Sequence, residues 1–421
     1  DNFLKNQIIL MLPIFNPDGN EKIGLNRRDN GPEKVGVRYN GQYLDLNRDF
    51  LKLESPEVKA LVKLFNQWDP VLFIDLHTTN GSYHREPVTY TTQINPNIDN
   101  SLSDYMWNEL FPEVSRTLKV KYGYDSVPYG NFVDRFHPEK GWRNWALDAR
   151  FSFNYFGLRN RFSILNENYS HADFKTRVMS CYCFLKSILE YSNTHIQNMQ
   201  QKVLQSDLNT KSSYLNNSFV SESKTEKLFN IKLKSYRFEK EKIKPEDKKK
   251  YPPWIGDYRV KKIDEPVDYD LPYFIRPAAI KSAPLPEAYI LLPHHPHIVE
   301  KIKSHGIIIE KIRSGFQTII EEIIIDKLKP SSQIYQGHIR LECQVHYQKQ
   351  TRSIPAQSYF ISMKQSLARL IPILLEPESQ DSLVSWGFFN REIVSQWLNQ
   401  PRPYPVYRIP RVLPGVERYQ D

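Results

Sequence analysis

The sequence predicts an α/β domain, a sheet with helices on its faces, followed by a smaller β-rich domain. Three observations carry this. Apolar runs of strand length (Gln7–Phe15, Val71–Leu76, Arg161–Asn166) alternate with amphipathic helical patterns in the first half, the rhythm of helices packed on a sheet. The chain has 421 residues, and at about 100–200 residues per domain two or three units are expected. Beyond about Leu271 short apolar segments return with few helical patterns between them. The expected division is an α/β domain over 1–197, a polar linker over 198–270 and a β-rich domain over 271–421.

Each element has a local reason. Gln7–Phe15 ends in Asn16-Pro-Asp-Gly19, a strong turn sequence. Ser55-Pro-Glu57 opens a helix, with Ser as N-cap, Pro in the first turn and an acid beside it; Val58, Leu61, Val62, Phe65 and Trp68 then recur at helical spacing. Val71–Leu76 reads as a buried strand ending at His77, and Arg161–Asn166 as another ending at Glu167. A helix over His171–Tyr191 follows, with Val178, Cys181, Tyr182, Leu185, Ile188 and Leu189 on one stripe. From 193 to 270, Asn, Ser, Gln and Lys dominate and Pro245, Pro252 and Pro253 interrupt the pattern, which predicts an irregular connection. The later strands are read at Ala288–Leu292, Gly306–Ile309, Phe316–Ile325, His338–Leu341 and Tyr359–Ile361, with helices over 296–304 and 365–375.

Composition narrows the function classes. With 57 Lys+Arg against 48 Asp+Glu the net charge is +9, but the densest basic run, Arg237–Lys250, is interspersed with acids; it reads as a solvated linker, and no nucleic-acid partner is expected. No apolar run reaches the roughly 18 residues that cross a bilayer, so no membrane span is expected. The N-terminus shows no signal peptide, so the chain is intracellular or its true start is missing. Three cysteines, Cys181, Cys183 and Cys343, cannot build a disulfide framework.

The candidate chemistry gathers at the ends of strands. Ligand-facing residues of open α/β sheets sit at the carboxyl ends of the strands, so His77 and Glu167 can share a site although they lie 90 residues apart. An imidazole and a carboxylate at such a rim suit zinc chemistry, the first binding the metal and the second deprotonating its water. Arg28 and Arg48, with Asn47 beside the latter, can grip a carboxylate through guanidinium forks and an amide donor.

Taken in order, Asn16-Pro-Asp-Gly19, Arg28-Asp-Asn30, Asp45-Leu-Asn-Arg-Asp-Phe50, Asp75-Leu-His77 and Ser163-Ile-Leu-Asn-Glu167 resemble the motifs of the zinc metallocarboxypeptidases of the carboxypeptidase A type. The resemblance covers residues 5–195 and implies a mixed sheet with helices on both faces. Tyr155-Phe-Gly-Leu-Arg-Asn-Arg161 looks like a bacterial branch of that family. It implies one Zn2+ ion with His77 as the third ligand, and Glu167 as the general base. It further implies Arg28 as the group that polarises the scissile carbonyl, with Arg27 as the fallback, and Asn47 and Arg48 as the clamp for the terminal carboxylate. Asp45 would orient a zinc-bound His from behind, and Tyr155 would be the mobile substrate-capping tyrosine. The substrate would be a peptide or protein with a free C-terminal carboxylate, met outside the cell or in the periplasm. The specificity pocket would lie in residues 128–160, where Trp142, Trp145, Phe151, Phe153 and Tyr155 offer apolar walls and Arg143, Asp148 and Arg150 keep charged options open.

Two departures bear on activity. The family's first two zinc ligands come from a His-x-x-Glu motif upstream of Asn16, and only 15 residues precede it; Asp49 also stands where the family usually has a second Asn. The chain is then a fragment or a degenerate homologue, and as it stands it is expected to bind zinc weakly and hydrolyse little. His297-Ile-Val-Glu300 has the right spacing in the wrong half. Two other functions fit the same residues: an amidase acting on cell-wall peptides, or a non-catalytic peptide- or wall-binding protein that uses the clamp alone. The C-terminal half also resembles the accessory segment of large bacterial carboxypeptidase-like proteins, at Leu374–Phe389 and Tyr404–Tyr407, and is expected to pack on or shield the catalytic domain.

Overall fold

The computed structural model describes residues 3–25, 27, 34–79, 82–213, 218–250, 255–393, 403–412 and 415–420. Asn16 caps a short helix, Pro17–Glu21, its Oδ1 accepting from the Gly19 amide at 3.0 Å. Helix α1 (Pro56–Trp68) starts as its sequence predicts: Ser55 Oγ accepts from the Val58 amide at 3.3 Å, satisfying one of the free donors of the first turn. It buries Val58, Leu61, Val62 and Phe65 and ends at Asp69 in the left-handed conformation.

Strands β1 (Leu72–Thr78) and β2 (Val88–Thr92) follow. Helix α2 (Asn100–Tyr105) passes through a π turn (Met106–Leu110) into α3 (Phe111–Tyr122). Strands β3 (Ser126–Pro128), β4 (Asn131–Phe132) and β5 (Trp142–Arg143), helix α4 (Ser152–Leu158), strand β6 (Phe162–Asn168) and helix α5 (Phe174–Ser213) complete the first half. The central sheet runs β1-β6-β2-β3. It is mixed: β1 and β6 are parallel, β6 and β2 antiparallel, β2 and β3 parallel. Its two faces are both covered, because successive side chains of a strand point opposite ways. Phe73 packs against Phe65 of α1 and Phe156 of α4, while Leu72 and Ile74 join the core formed by Val114, Leu118, Phe184 and Ile188 of α3 and α5.

The second half is β-rich. Strands β7 (Ser218–Lys242) and β8 (Tyr258–Pro284) form a long antiparallel ribbon, extended into a sheet of order β4-β5-β8-β7. Strand β9 (Ala288–Leu291), helix α6 (Pro296–Ser304) and strands β10 (Glu310–Ile312), β11 (Phe316–Tyr335), β12 (His338–Ile354) and β13 (Tyr359–Ser362) follow. Helix α7 (Leu370–Leu375), β14 (Pro403–Ile409) and β15 (Arg418–Tyr419) close the chain. These strands make an antiparallel sheet of order β12-β11-β14-β9-β13-β10-β15. Among the described residues no helix is long and apolar enough to cross a membrane.

Two expectations are corrected. The stretch 198–270 is not an irregular linker: it holds the last third of α5, the whole of β7 and half of β8. Its polar texture has a physical cause. The end of α5 presents a narrow stripe, Met199, Val203, Ser206 and Thr210, two of them hydroxyls, and a two-stranded ribbon exposes much of both faces to water, so its apolar alternation is sparse. Gln7–Phe15 is not a strand either. Among the described residues no strand pairs with it; Asn6 and Gln7 instead hydrogen-bond to Asn193 and Leu189 of α5, and Ile8, Leu10, Met11, Leu12 and Ile14 are exposed.

The halves share one apolar core, in which Leu46, Phe50, Val62 and Phe156 pack in a cluster with Tyr289, Ile298, Ile371 and Val406. The β11–β12 hairpin reaches back to the first half through its two-residue turn. Gln336 and Gly337 both have positive φ (52° and 80°), the backbone that lets such a turn match the twist of its strands.

Candidate active site

The parallel pairing of β1 and β6 puts His77 directly opposite Glu167. Both line a cleft of about 1100 Å³ at the carboxyl ends of these strands, the place where open α/β sheets bind ligands. Asp75, two residues before His77 on the same face of β1, holds His77 Nε2 at 2.9 Å and accepts a hydrogen bond from Ser152 Oγ. Burial would lower the imidazole pKa, but the charge and hydrogen bond of Asp75, with Glu167 nearby, outweigh it and raise it to about 9. Thr89 Oγ1 donates to the Glu167 carbonyl at 2.9 Å, which ties β2 to β6 at the level of the carboxylate.

Asp45 caps a 3-10 turn, Leu46–Arg48, accepting from the Asn47 amide at 3.1 Å. That turn delivers Asn47 and Arg48 to the cleft wall. Asn47 Oδ1 accepts from the Ser152 amide at 3.0 Å, which fixes the amide plane. Arg48 is held on three sides: Nη1 donates to the Asn47 carbonyl at 2.7 Å, Nε donates to the Tyr335 hydroxyl at 3.1 Å, and the guanidinium lies 4.4 Å from the Phe151 ring centre. A cation fixed in this way is suited to meeting a carboxylate without losing further freedom.

The structure rearranges part of the expected cast. The Asp45 carboxylate pairs with Arg38 rather than with a histidine. Tyr155 is not a cleft residue. It is fully buried on α4, its hydroxyl 2.9 Å from His305 Nδ1 and 3.2 Å from Arg159 Nη1, so it cannot swing over a substrate. Arg28 lies outside the described residues; Arg27 is exposed and is not among the cleft-lining residues. His297 and Glu300 are exposed on α6 in the β-rich half. Within the 128–160 segment, Arg143, Trp145, Asp148, Phe151 and Phe153 do line the cleft.

Three cleft residues escaped the sequence reading. Arg38 is kept charged by Asp45 against the effect of burial. Tyr129, whose hydroxyl pKa is raised by burial and by Glu167, lies close enough to Arg38 and Arg48 to feel both. Tyr335 comes from the hairpin tip of the other half. Among the described residues no group of three or more His, Cys, Asp or Glu is placed to hold a metal ion. His77 supplies one imidazole, already bonded to Asp75, and the described donors therefore do not complete the zinc site that the resemblance implies.

The cleft thus holds a carboxylate, an imidazole and several guanidinium groups beside a polar amide. The chain is similar to fungal carboxypeptidases. Carboxypeptidase 2 of Trichophyton rubrum is 21% identical over 429 residues, spanning 96% of this chain and 70% of that protein. Carboxypeptidase 2 of Trichophyton equinum is also 21% identical and covers the same shares. A probable carboxypeptidase 2 of Arthroderma benhamiae, again 21% identical, spans 90% of this chain and 68% of that protein. The similarity therefore runs through the β-rich half as well as the α/β half. These relatives are fungal, so they support a carboxypeptidase and not the bacterial branch in particular. No family model and no solved structure matches the chain.

Proposed function

We propose that this chain is a carboxypeptidase, hydrolysing the last peptide bond of substrates with a free C-terminal carboxylate. The observation that carries the reading is the convergence in one cleft of Glu167, register partner of His77, with Asn47 and Arg48. Arg48 and Asn47 take the terminal carboxylate by charge-assisted hydrogen bonds. That contact makes the chain end, rather than an internal bond, the group delivered to Glu167. Glu167 takes the proton of the attacking water and returns it to the leaving amine, as a general base and then a general acid. Arg28 keeps the role that the resemblance gives it, stabilising the oxyanion. One zinc ion, with His77 among its ligands, belongs to the same reading; the described residues do not complete its ligand set, and no step here depends on it.

The test uses paired peptides, identical but for a free acid or an amide at the C-terminus, with a cell-wall peptide alongside. Binding is followed by calorimetry and residue release by mass spectrometry, with and without added zinc. Release of the last residue from the acid alone, abolished by Glu167→Gln, is the expected result. Equal binding and cutting of acid and amide would overturn the reading.

A further inference from the structure

Arg143 stands apart from the other cleft arginines. Arg38 pairs with Asp45, Arg48 donates to Tyr335 and to the Asn47 carbonyl, and Arg177 donates to the Ala172 carbonyl at 3.2 Å. The half-buried Arg143 side chain makes no hydrogen bond and no ion pair among the described residues, and its Nε is buried without a partner. Its position is nonetheless well fixed. Strand β5 is held between β4 and β8, with Arg143 opposite Asn131 on one side and Phe274 on the other, and the guanidinium lies 5.5 Å from the Phe274 ring centre.

The place of this cation is as telling as its lack of a partner. Arg143, Trp145 and Asp148 line both the main cleft and an adjoining cavity of about 490 Å³, whose far wall is made by Val220, Ser221, Ser223, Lys224 and Thr225 of β7 and by Ser379–Asp381. Trp145 is 55% exposed there. Asp148 does not neutralise Arg143, because its carboxylate is taken by Arg150 at 2.7 Å. Apart from the face of the Phe274 ring, this half-buried guanidinium has no partner for its N–H groups among the described residues, and its planar fork matches a carboxylate.

We propose that Arg143 is a specificity-determining residue that binds the acidic side chain of a Glu or Asp near the C-terminus of the substrate peptide. The substrate then carries two carboxylates, the terminal one on Arg48 and Asn47 and the side-chain one on Arg143, with the rest of the peptide leaving across Trp145 into the adjoining cavity. This deepens, and rests on, the carboxypeptidase reading of the cleft.

The test measures, on the full chain by calorimetry, the affinities of free-acid peptides that carry Glu or Gln at each of the last three positions. A charge-assisted pair in a partly dry site should favour Glu over Gln by about tenfold at one of these positions. In Arg143→Gln that ratio falls to about 1. In Arg143→Glu it inverts in favour of a Lys peptide, a gain that a misfolded variant could not produce. A ratio of about 1 at all three positions in the wild type, or one that survives Arg143→Gln, would overturn the proposal. Amidated versions of the same peptides separate the two ideas: equal binding of acid and amide counts against the terminal clamp alone, while the Glu-to-Gln ratio still judges Arg143.

Discussion

Arg48 donates a 3.1 Å hydrogen bond from Nε to the hydroxyl of Tyr335, across 287 residues of sequence. One residue on, Gln336 Oε1 accepts from the Asp45 amide at 3.0 Å, and His338 Nε2 lies 2.9 Å from Glu54. The tip of the β11–β12 hairpin therefore braces the turn that presents Asn47 and Arg48, the proposed carboxylate clamp. Tyr335 itself is backed by Trp386, whose ring stacks on it at 6.0 Å.

Tyr335→Phe removes the hydroxyl and keeps the stacking. Arg48 then loses the acceptor that fixes its Nε, and the guanidinium samples more orientations. Free-acid peptides should bind about three- to tenfold more weakly, while stability changes by about 1 kcal/mol, the usual net worth of one such bond. Peptide calorimetry together with urea denaturation checks both numbers. Unchanged affinity would show that Arg48 is held well enough by Asn47 and Phe151.

Tyr155 gives a contrasting expectation. Its hydroxyl lies 2.9 Å from His305 Nδ1 and accepts from Arg159 Nη1 within the shared core. Tyr155→Phe leaves buried polar atoms without that partner, at a cost of about 1–3 kcal/mol, and peptide affinity should not move. A mobile capping role predicts the reverse, weaker binding with stability unaltered, so one variant measured by denaturation and calorimetry separates the two.

What the sequence could disclose follows from which signals are local. The helix at Ser55–Trp68 and the strands at 72–78 and 162–168 announce themselves through caps and apolar runs, and strand ends then place His77 and Glu167. Arg38 has no such mark, being one arginine between Val37 and Tyr39 with its partner Asp45 seven residues on. Tyr335 joins the cleft only because a hairpin of the other half folds back, and no periodicity reports that. The β7–β8 ribbon was illegible because strands wet on both faces lack a continuous apolar stripe. Tyr155 misled because helix α4 is buried all round, so its motif says nothing about which way the ring points.

Arg150 and Asp381 join the two halves of the chain. Arg150 Nη1 lies 2.9 Å from Asp381 Oδ1, and the Arg150 amide donates to Oδ2 at 3.0 Å, with both side chains largely buried. Asp381→Ala removes one carboxylate from a buried cation and leaves it Asp148 alone. Breaking a buried pair from one side costs about 3–5 kcal/mol, and the remaining Asp148 should keep the loss near about 3 kcal/mol. The urea midpoint reads it directly; a loss under about 1 kcal/mol would mean that the shared apolar core alone couples the halves.

His305 gives a pH signature. It is fully buried; burial, reinforced by Arg159 and Lys301, lowers its pKa to about 3 from the ordinary 6.5. The folded chain therefore keeps this imidazole neutral where the unfolded chain protonates it. Its contribution to stability is complete above about pH 6.5 and is lost as pH falls from there towards about 3, at about 1.4 kcal/mol per pH unit. Other buried groups titrate in the same range; burial raises the Glu86 carboxyl to about 7, which acts in the opposite sense between about pH 7 and 4.5. The clean measurement is thus a difference between variants. His305→Gln is less stable than the wild type at pH 7, but it has no imidazole to protonate on unfolding. The two stability curves, from urea denaturation at successive pH values, should converge by about 2 kcal/mol between pH 7 and pH 5. Parallel curves would mean that His305 takes up its proton in the folded state, and that the Tyr155 hydroxyl is then an acceptor rather than a donor.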